Sequence, residues 1–245
     1  MAETHPIMAA RVTRSILLSE KTKHIEFEFL DRPKFDFIAG QFVSVREPKA
    51  DGKFITRAYS IASDPRDDNT LDLCLNRVEN GFMSNYLCDR EVGDEVRMHG
   101  PHGHFVLHEE LKDTIFISTG TGVAPFRSMG RWLFQHPERY KGREFWMIYG
   151  TRYADDIYYR DEFEQMEREH PNFHYVCTLS RGGDAWTGRK GYVQDHLREI
   201  LKAHDGGKDM QVYICGLNEM VSGVRDVLKD EFGWDKKQIN FERYD

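Results

Sequence analysis

Hydrophobic residues change their period part-way along the chain. In the first part the dominant rhythm is two. Ile25, Phe27 and Phe29 alternate with Glu26 and Glu28, and Leu71, Leu73 and Leu75 alternate with Asp72, Cys74 and Asn76. Such spacing predicts strands with the aliphatic set on one face and the polar set on the other. Turn signals at Asp31-Arg32-Pro33, Asp51-Gly52 and Asp64-Pro65 cut this part into short strands, the pattern of an antiparallel barrel or sandwich.

The rhythm changes near Glu109 to Lys112, after which strand and helix patterns alternate. Strands are predicted at Thr114 to Ser118, Glu144 to Tyr149, Phe173 to Leu179, Val212 to Cys215 and Ile239 to Glu242. Helices are predicted at Pro125 to Phe134, Asp161 to Glu169, Tyr192 to Leu201 and Glu219 to Leu228. Repeated strand–helix alternation calls for a parallel sheet covered on both faces. The expected fold is therefore two-domain, an antiparallel β-barrel over residues 1–110 followed by a doubly wound α/β parallel sheet over 111–245.

Composition narrows the class. The 245 residues are 40% hydrophobic and 31% charged, enough to bury a core. No apolar run approaches the roughly 18 residues of a membrane span. Met1 to Arg14 holds no continuous apolar stretch, so no secretory signal is expected. Net charge is −7, and the acidic excess holds in both parts: 14 basic against 19 acidic residues up to Glu110, then 20 against 22. That balance argues against a nucleic-acid binder. Cys74, Cys88, Cys177 and Cys215 are dispersed, without C-x-x-C or ferredoxin-cluster spacing, which points to a reduced, cytoplasmic chain with no iron–sulfur centre of its own.

Four segments carry candidate chemistry. Gly120-Thr121-Gly122-Val123-Ala124-Pro125 follows a predicted strand. Its glycines permit a tight turn and close ligand approach, and the helix beyond offers free N–H groups to a pyrophosphate. Pro125 suits a first helical turn. A glycine-rich turn without a ligand is the competing reading. Cys215-Gly216-Leu217 again ends a strand before a helix, and open α/β sheets bind ligands at the carboxyl ends of strands. A cysteine that is simply buried there competes. In the barrel half, Arg57-Ala58-Tyr59-Ser60 offers a guanidinium, a ring and a hydroxyl suited to a flat phosphorylated cofactor, with a plain surface strand as the alternative. Gly81-Phe82-Met83-Ser84 opens a short helical stretch, either a second pyrophosphate cradle or an N-capped connector.

In this order the segments resemble the ferredoxin–NADP reductase family of flavoproteins, across essentially the whole chain. Arg57 to Ser60 matches its R-x-Y-S flavin motif, and Gly81 to Ser84 its flavin-pyrophosphate motif. Gly100-Pro101-His102-Gly103-His104-Phe105 looks like its barrel-closing G-P-x-G-x-F. Gly120 to Ser128 is similar to its GTGxAPFRS, Cys215 to Met220 to its CGLxxM, and Glu242-Arg243-Tyr244 to its E-x-Y ending.

The resemblance implies FAD on the barrel, with Tyr59 and Tyr244 against the isoalloxazine, Arg57 on the pyrophosphate and Ser60 near flavin N5. Asn76 stands in a flavin-contacting strand where plant-type members carry Lys. It implies NADP(H) on the α/β half, the pyrophosphate near Gly120, Thr121, Gly122 and Pro125. The nicotinamide is then bordered by Ser60 and by Cys215, Gly216 and Leu217. Glu242 relays protons or orients the site, and Tyr244 must yield to nicotinamide; Asp245 follows it, where plant-type members end. Ser180, Arg181, Lys190 and Tyr192 have the spacing of NADP-using relatives, a phosphate site plus a ring for adenine.

The implied activity is hydride transfer from NADPH to FAD, then single electrons to a ferredoxin or flavodoxin. The alternatives are an NADH-dependent reductase component of a multicomponent oxygenase, free-flavin reduction, and a non-catalytic FAD-binding electron-transfer subunit. His99, His102, His104 and His108 cluster without a zinc spacing, so no metal is expected.

Overall fold

The computed structural model describes residues 6–244. The remainder of the amino-terminal segment read above and Asp245 lie outside them.

Two compact units emerge. One takes the chain up to Leu107 and again Ala124–Trp132; the other takes His108–Val123 and the chain from Leu133 onward. The first holds six strands: β1 (Met8–Ser19), β2 (Thr22–Phe29), β3 (Phe42–Pro48), β4 (Phe54–Ser60), β5 (Thr70–Asn76) and β6 (Glu95–His102). A short helix, α1 (Phe82–Cys88), lies between β5 and β6. The spatial order is β4-β3-β6-β1-β2-β5, with antiparallel neighbours. An antiparallel bridge from Ile61, just past β4, to Leu73 of β5 closes the sheet into a barrel.

Period two explains the barrel core. Ile25, Phe27 and Phe29 of β2 and Leu71, Leu73 and Leu75 of β5 all face inward, packed with Met8, Ala10 and Val12 of β1. The outer face of β5 departs from the expected pattern, because Asp72 and Cys74 are buried as well. The physical reason is an ion-pair network. Asp72 Oδ2 accepts from Arg66 Nη2 at 2.9 Å and from Arg127 Nη1 at 3.2 Å, and Arg127 also donates to the Ala62 carbonyl. One turn further on, Arg131 Nε donates to Asp64 at 2.6 Å. A buried carboxylate persists only with such partners. Arg127 and Arg131 come from Ala124–Trp132, the stretch that groups with the barrel although it lies within 111–245.

The second unit is a parallel sheet of β7 (Thr114–Thr119), β8 (Phe145–Thr151), β9 (Phe173–Leu179), β10 (Arg189–Lys190), β11 (Gln211–Leu217) and β12 (Ile239–Tyr244). Its order is β10-β9-β8-β7-β11-β12. Its helices are α3 (Arg160–Glu169), α4 (Val193–Ala203) and α5 (Asn218–Asp226), while α2 (Ala124–Phe134), which follows β7 in the chain, groups with the barrel up to Trp132. One face is aliphatic: Ile115, Ile117, Ile148, Val212 and Ile214 pack with Val193, Leu197, Leu201, Val221 and Val224 of α4 and α5. Aromatic contacts mark other positions, including Phe116 on Phe145 and Phe163 of α3 on Tyr175. Burying each such side chain contributes about 1.5–3 kcal/mol. Sequence neighbours diverge around β7, whose partners are β8 and β11. That is the switch point where open sheets leave a crevice at the strand carboxyl ends.

Candidate functional site

In the barrel unit, β4 forms its ladder with β3 and its residues are largely exposed. Arg57 is exposed, and its Nη1 donates to the neighbouring Thr56 carbonyl at 2.9 Å. No carboxylate pairs with it among the described residues, which leaves its charge available to a phosphate. Ala58 is exposed, Tyr59 is half-buried against the barrel core, and Ser60 is buried. Burial pushes the Tyr59 phenol well above its ordinary value, so it stays a neutral ring. Asn76, at the end of β5, accepts from the Thr22 hydroxyl at 3.2 Å.

Gly81 caps the amino end of α1 without a side-chain bond. A Cβ there would press on Ser84 Oγ and on Val78. Met83 and Ser84 turn inward: Met83 joins the core, and Ser84 Oγ accepts from Val78 N at 3.1 Å. The Ser84 hydroxyl, in the segment read as a pyrophosphate cradle, is thus already engaged by a local bond. The Phe82 ring is left partly exposed, with Lys49 Nζ 5.6 Å from its centroid. First-turn N–H groups of a helix have no intrahelical partners, so this end offers donors to an anion.

In the α/β unit, all the candidate residues gather at the carboxyl edge of the sheet. Gly120–Val123 is not an open loop, as the sequence suggests, but a 3₁₀ turn leading directly into α2, with Pro125 second in that helix. Gly120 has φ +54°, with open space where a Cβ would stand. Gly122 is the reverse: a Cβ would run into the carbonyl of Cys215 on β11. Only glycine lets the β7 turn close against β11. Next to it, the Ser118 and Thr119 hydroxyl oxygens are buried without a hydrogen-bond partner. Such orphans are costly, and their place at a glycine cradle suits a polar ligand.

Cys215 is 0% exposed. Burial pushes its thiol far above the ordinary value; the nearby Glu242 charge adds to this, and a bond from Tyr244 opposes it. It is no nucleophile at neutral pH. The β11–β12 ladder sets Cys215 opposite Glu242, Gly216 opposite Arg243 and Leu217 opposite Tyr244. Leu217 is exposed, while Glu242 and Tyr244 are half-buried.

Beyond β8 and β9 the edge is cationic. Arg181 is exposed, its backbone N donating to the Arg152 carbonyl at 3.0 Å and its Nη1 reaching Tyr153 OH at 3.4 Å. Ser180 Oγ faces the Thr151 carbonyl at 3.4 Å. Lys190 is exposed in β10, paired in register with Leu179, and Tyr192 caps α4 with 68% of its surface exposed. Tyr153 escaped the sequence reading, although an exposed ring directly after Thr151-Arg152 is visible there. His99 Nδ1 and His102 Nε2 lie 2.8 Å apart. No group of three or more metal-ligating side chains occurs among the described residues. All four cysteines are free thiols, and no described helix is long and apolar enough to cross a membrane.

Residues 9–107 match an oxidoreductase FAD-binding domain and residues 116–226 an oxidoreductase NAD-binding domain. Ferredoxin--NADP reductase B of Sorangium cellulosum is 40% identical over 240 residues, covering 96% of this chain and 97% of its own. The chain belongs to the ferredoxin–NADP reductase family. A second relative, the phenol hydroxylase P5 protein of Acinetobacter pittii, is 31% identical over 86% of this chain, which spans only 58% of it. Among solved structures, a ferredoxin NADP+ reductase from Neisseria gonorrhoeae with bound FAD and NADP superposes with a TM-score of 0.81. At 21% identity, over 97% of this chain and 98% of that one, it shares the fold. As a family member this reductase is an NAD(P)H-dependent flavin oxidoreductase, and the two glycine cradles and unpaired hydroxyls fit FAD and a nicotinamide dinucleotide.

Proposed function

We propose that this reductase oxidises NADPH and delivers electrons singly to a ferredoxin or flavodoxin, with 1–110 as the FAD domain and 111–245 as the nicotinamide domain. The observation that carries the coenzyme assignment is the cationic edge beyond β8 and β9. Arg181 and Lys190 have no carboxylate partner among the described residues, and no carboxylate stands in Thr151-Arg152-Tyr153 to hold a 2′-hydroxyl. A 2′-phosphate is what such a site binds.

Bound FAD supplies the conversion between a two-electron donor and one-electron acceptors. The chain's own residues bind, orient and screen. Arg57 and the backbone at Gly81 to Ser84 hold the flavin's phosphates; Tyr59 covers its ring, and Ser60 offers a hydroxyl to the nitrogen whose protonation changes. Asn76 would stand in the strand that contacts the flavin. Gly120, Thr121, Gly122 and Pro125 receive the coenzyme pyrophosphate, and Ser180, Arg181, Lys190 and Tyr192 its adenylate end. Cys215, Gly216 and Leu217 border the nicotinamide once Tyr244 yields, and Glu242 relays protons or orients that end of the site. Alignment of two flat rings carries most of the rate, so positioning is the protein's main work.

The Acinetobacter relative supports a second reading, an NADH-dependent component feeding an oxygenase. The deciding experiment reduces the flavin with NADPH or NADH, then offers ferredoxins and flavodoxins in stopped flow. Rapid one-electron reoxidation after NADPH supports the first reading. Reduction by NADH alone supports the second.

A further inference from the structure

We propose that His196, which does not itself face the coenzyme, is a positioning residue that holds β10 in place for NADPH selection; the inference rests on the NADPH reading above. His196 lies on the inner side of α4 and is 5% exposed. Its Nε2 is 2.9 Å from Thr178 Oγ1 on β9, and that hydroxyl donates to the Gly191 carbonyl at 3.1 Å. Its Nδ1 is 3.3 Å from Arg189 Nη1 in β10, which also donates to Glu199 at 2.7 Å.

Donor bookkeeping determines the imidazole. The Thr178 hydroxyl has one hydrogen, and the Gly191 carbonyl can only accept it. Toward His196 the hydroxyl must therefore accept, so Nε2 carries the hydrogen. A guanidinium can only donate, so Nδ1 presents its lone pair to Arg189. The neutral Nε2–H form satisfies every member of the relay, which spans Arg189, His196, Thr178 and Gly191.

The relay brackets the two residues assigned to the coenzyme's adenylate end. Lys190 stands between Arg189 and Gly191, and Tyr192 follows Gly191 directly. A strand of two residues has little ladder of its own: Arg189 and Lys190 pair with Thr178 and Leu179, and Gly191 N donates to Leu179 O at 3.1 Å. Trp186 Nε1 adds a bond to the Arg189 carbonyl at 2.7 Å. Without the imidazole, the Arg189 side chain is held by the solvent-exposed Glu199 alone among the described residues, and the two-residue strand that carries Lys190 keeps only its short ladder and the Trp186 bond; Tyr192 stays anchored to Asp195 of α4. The loss falls on the phosphate-bearing coenzyme because Lys190 answers that group.

The test compares wild-type holoenzyme with H196A, H196Q and T178V, titrating 2′,5′-ADP calorimetrically and measuring KM and kcat with NADPH and NADH. H196A raises the 2′,5′-ADP Kd and the NADPH KM about 3- to 10-fold, the worth of a net hydrogen bond. The kcat at saturation and the NADH KM move less than twofold. H196Q, whose carboxamide can donate to Thr178 and accept from Arg189, recovers most of the loss. Unchanged NADPH parameters, or equal losses for both coenzymes, overturn the proposal. If H196A fails to retain flavin, T178V carries the same expectation and the same refutation. Wild-type protein that ignores 2′,5′-ADP overturns the coenzyme reading itself, an outcome distinct from binding that the variants leave unchanged.

Discussion

Gly122 presses its α-carbon side against the carbonyl of Cys215, so that the turn after β7 and the end of β11 leave no room for a methyl group between them. Two segments distant in sequence are thereby locked into one cradle. Gly122→Ala must push them apart, at about 1–3 kcal/mol for overpacking of this kind. The expected outcome is a Kd for NADP+ raised at least about 10-fold, with FAD content unchanged. Difference-absorbance titration checks the first and the flavin-to-protein absorbance ratio the second.

Arg181 is the sharpest test of coenzyme choice. Its guanidinium is exposed and its side chain reaches Tyr153 only at 3.4 Å, so little has to be broken when a phosphate arrives. Arg181→Ala is expected to weaken NADPH about 10- to 150-fold, the span of a charge-assisted hydrogen bond, and to leave NADH nearly unaffected. Steady-state KM values for the two coenzymes, measured side by side, decide it.

Burial, reinforced by the Arg127 charge and opposed by Asp72 and Glu26, holds the His24 imidazole below its ordinary value. The unfolded chain then takes up this proton first as pH falls. The associated stability is complete above about pH 6.5 and is lost as pH drops through the lowered folded value. Thermal midpoints between pH 7.5 and 5 should fall in the wild type, and His24→Gln should flatten that slope. A parallel slope in the variant contradicts the assignment.

The same region shows where sequence pattern stops being informative. Alternation at Ile25, Phe27 and Phe29 reads directly as a strand, because burial on one face leaves a period of two. Alternation at Leu71, Leu73 and Leu75 reads just as well. The pattern does not say that Asp72 is also buried: Arg66 lies six residues before it, but its other partner, Arg127, lies 55 residues further along the chain. At β10 the two strand residues Arg189 and Lys190 leave no periodicity to detect. Gly120 to Pro125 and Cys215 to Leu217 were legible as strand-end turns from glycine placement. That Gly122 meets Cys215 follows only from the strand order. The candidate residues at the carboxyl edge could be named in advance because parallel strands carry their carboxyl ends to one side. The orphaned hydroxyls of Ser118 and Thr119 could not.

Tyr244 closes the β11–β12 ladder opposite Leu217, and its hydroxyl bonds the buried Cys215 thiol. If this ring covers the flavin and must yield to nicotinamide, Tyr244→Ala lets either nicotinamide dwell there. The preference for NADPH over NADH, read from kcat/KM ratios, should then relax. A preference that stays the same removes Tyr244 from the selection step.

The central claim is that the barrel holds FAD and the α/β unit brings NADPH to it. Anaerobic mixing of the purified holoprotein with NADPH, followed at the flavin absorbance band, tests it most directly. The account predicts a yellow protein that bleaches rapidly with NADPH and far more slowly with NADH. A colourless chain that takes up no FAD, or a yellow one that neither coenzyme bleaches, would contradict it.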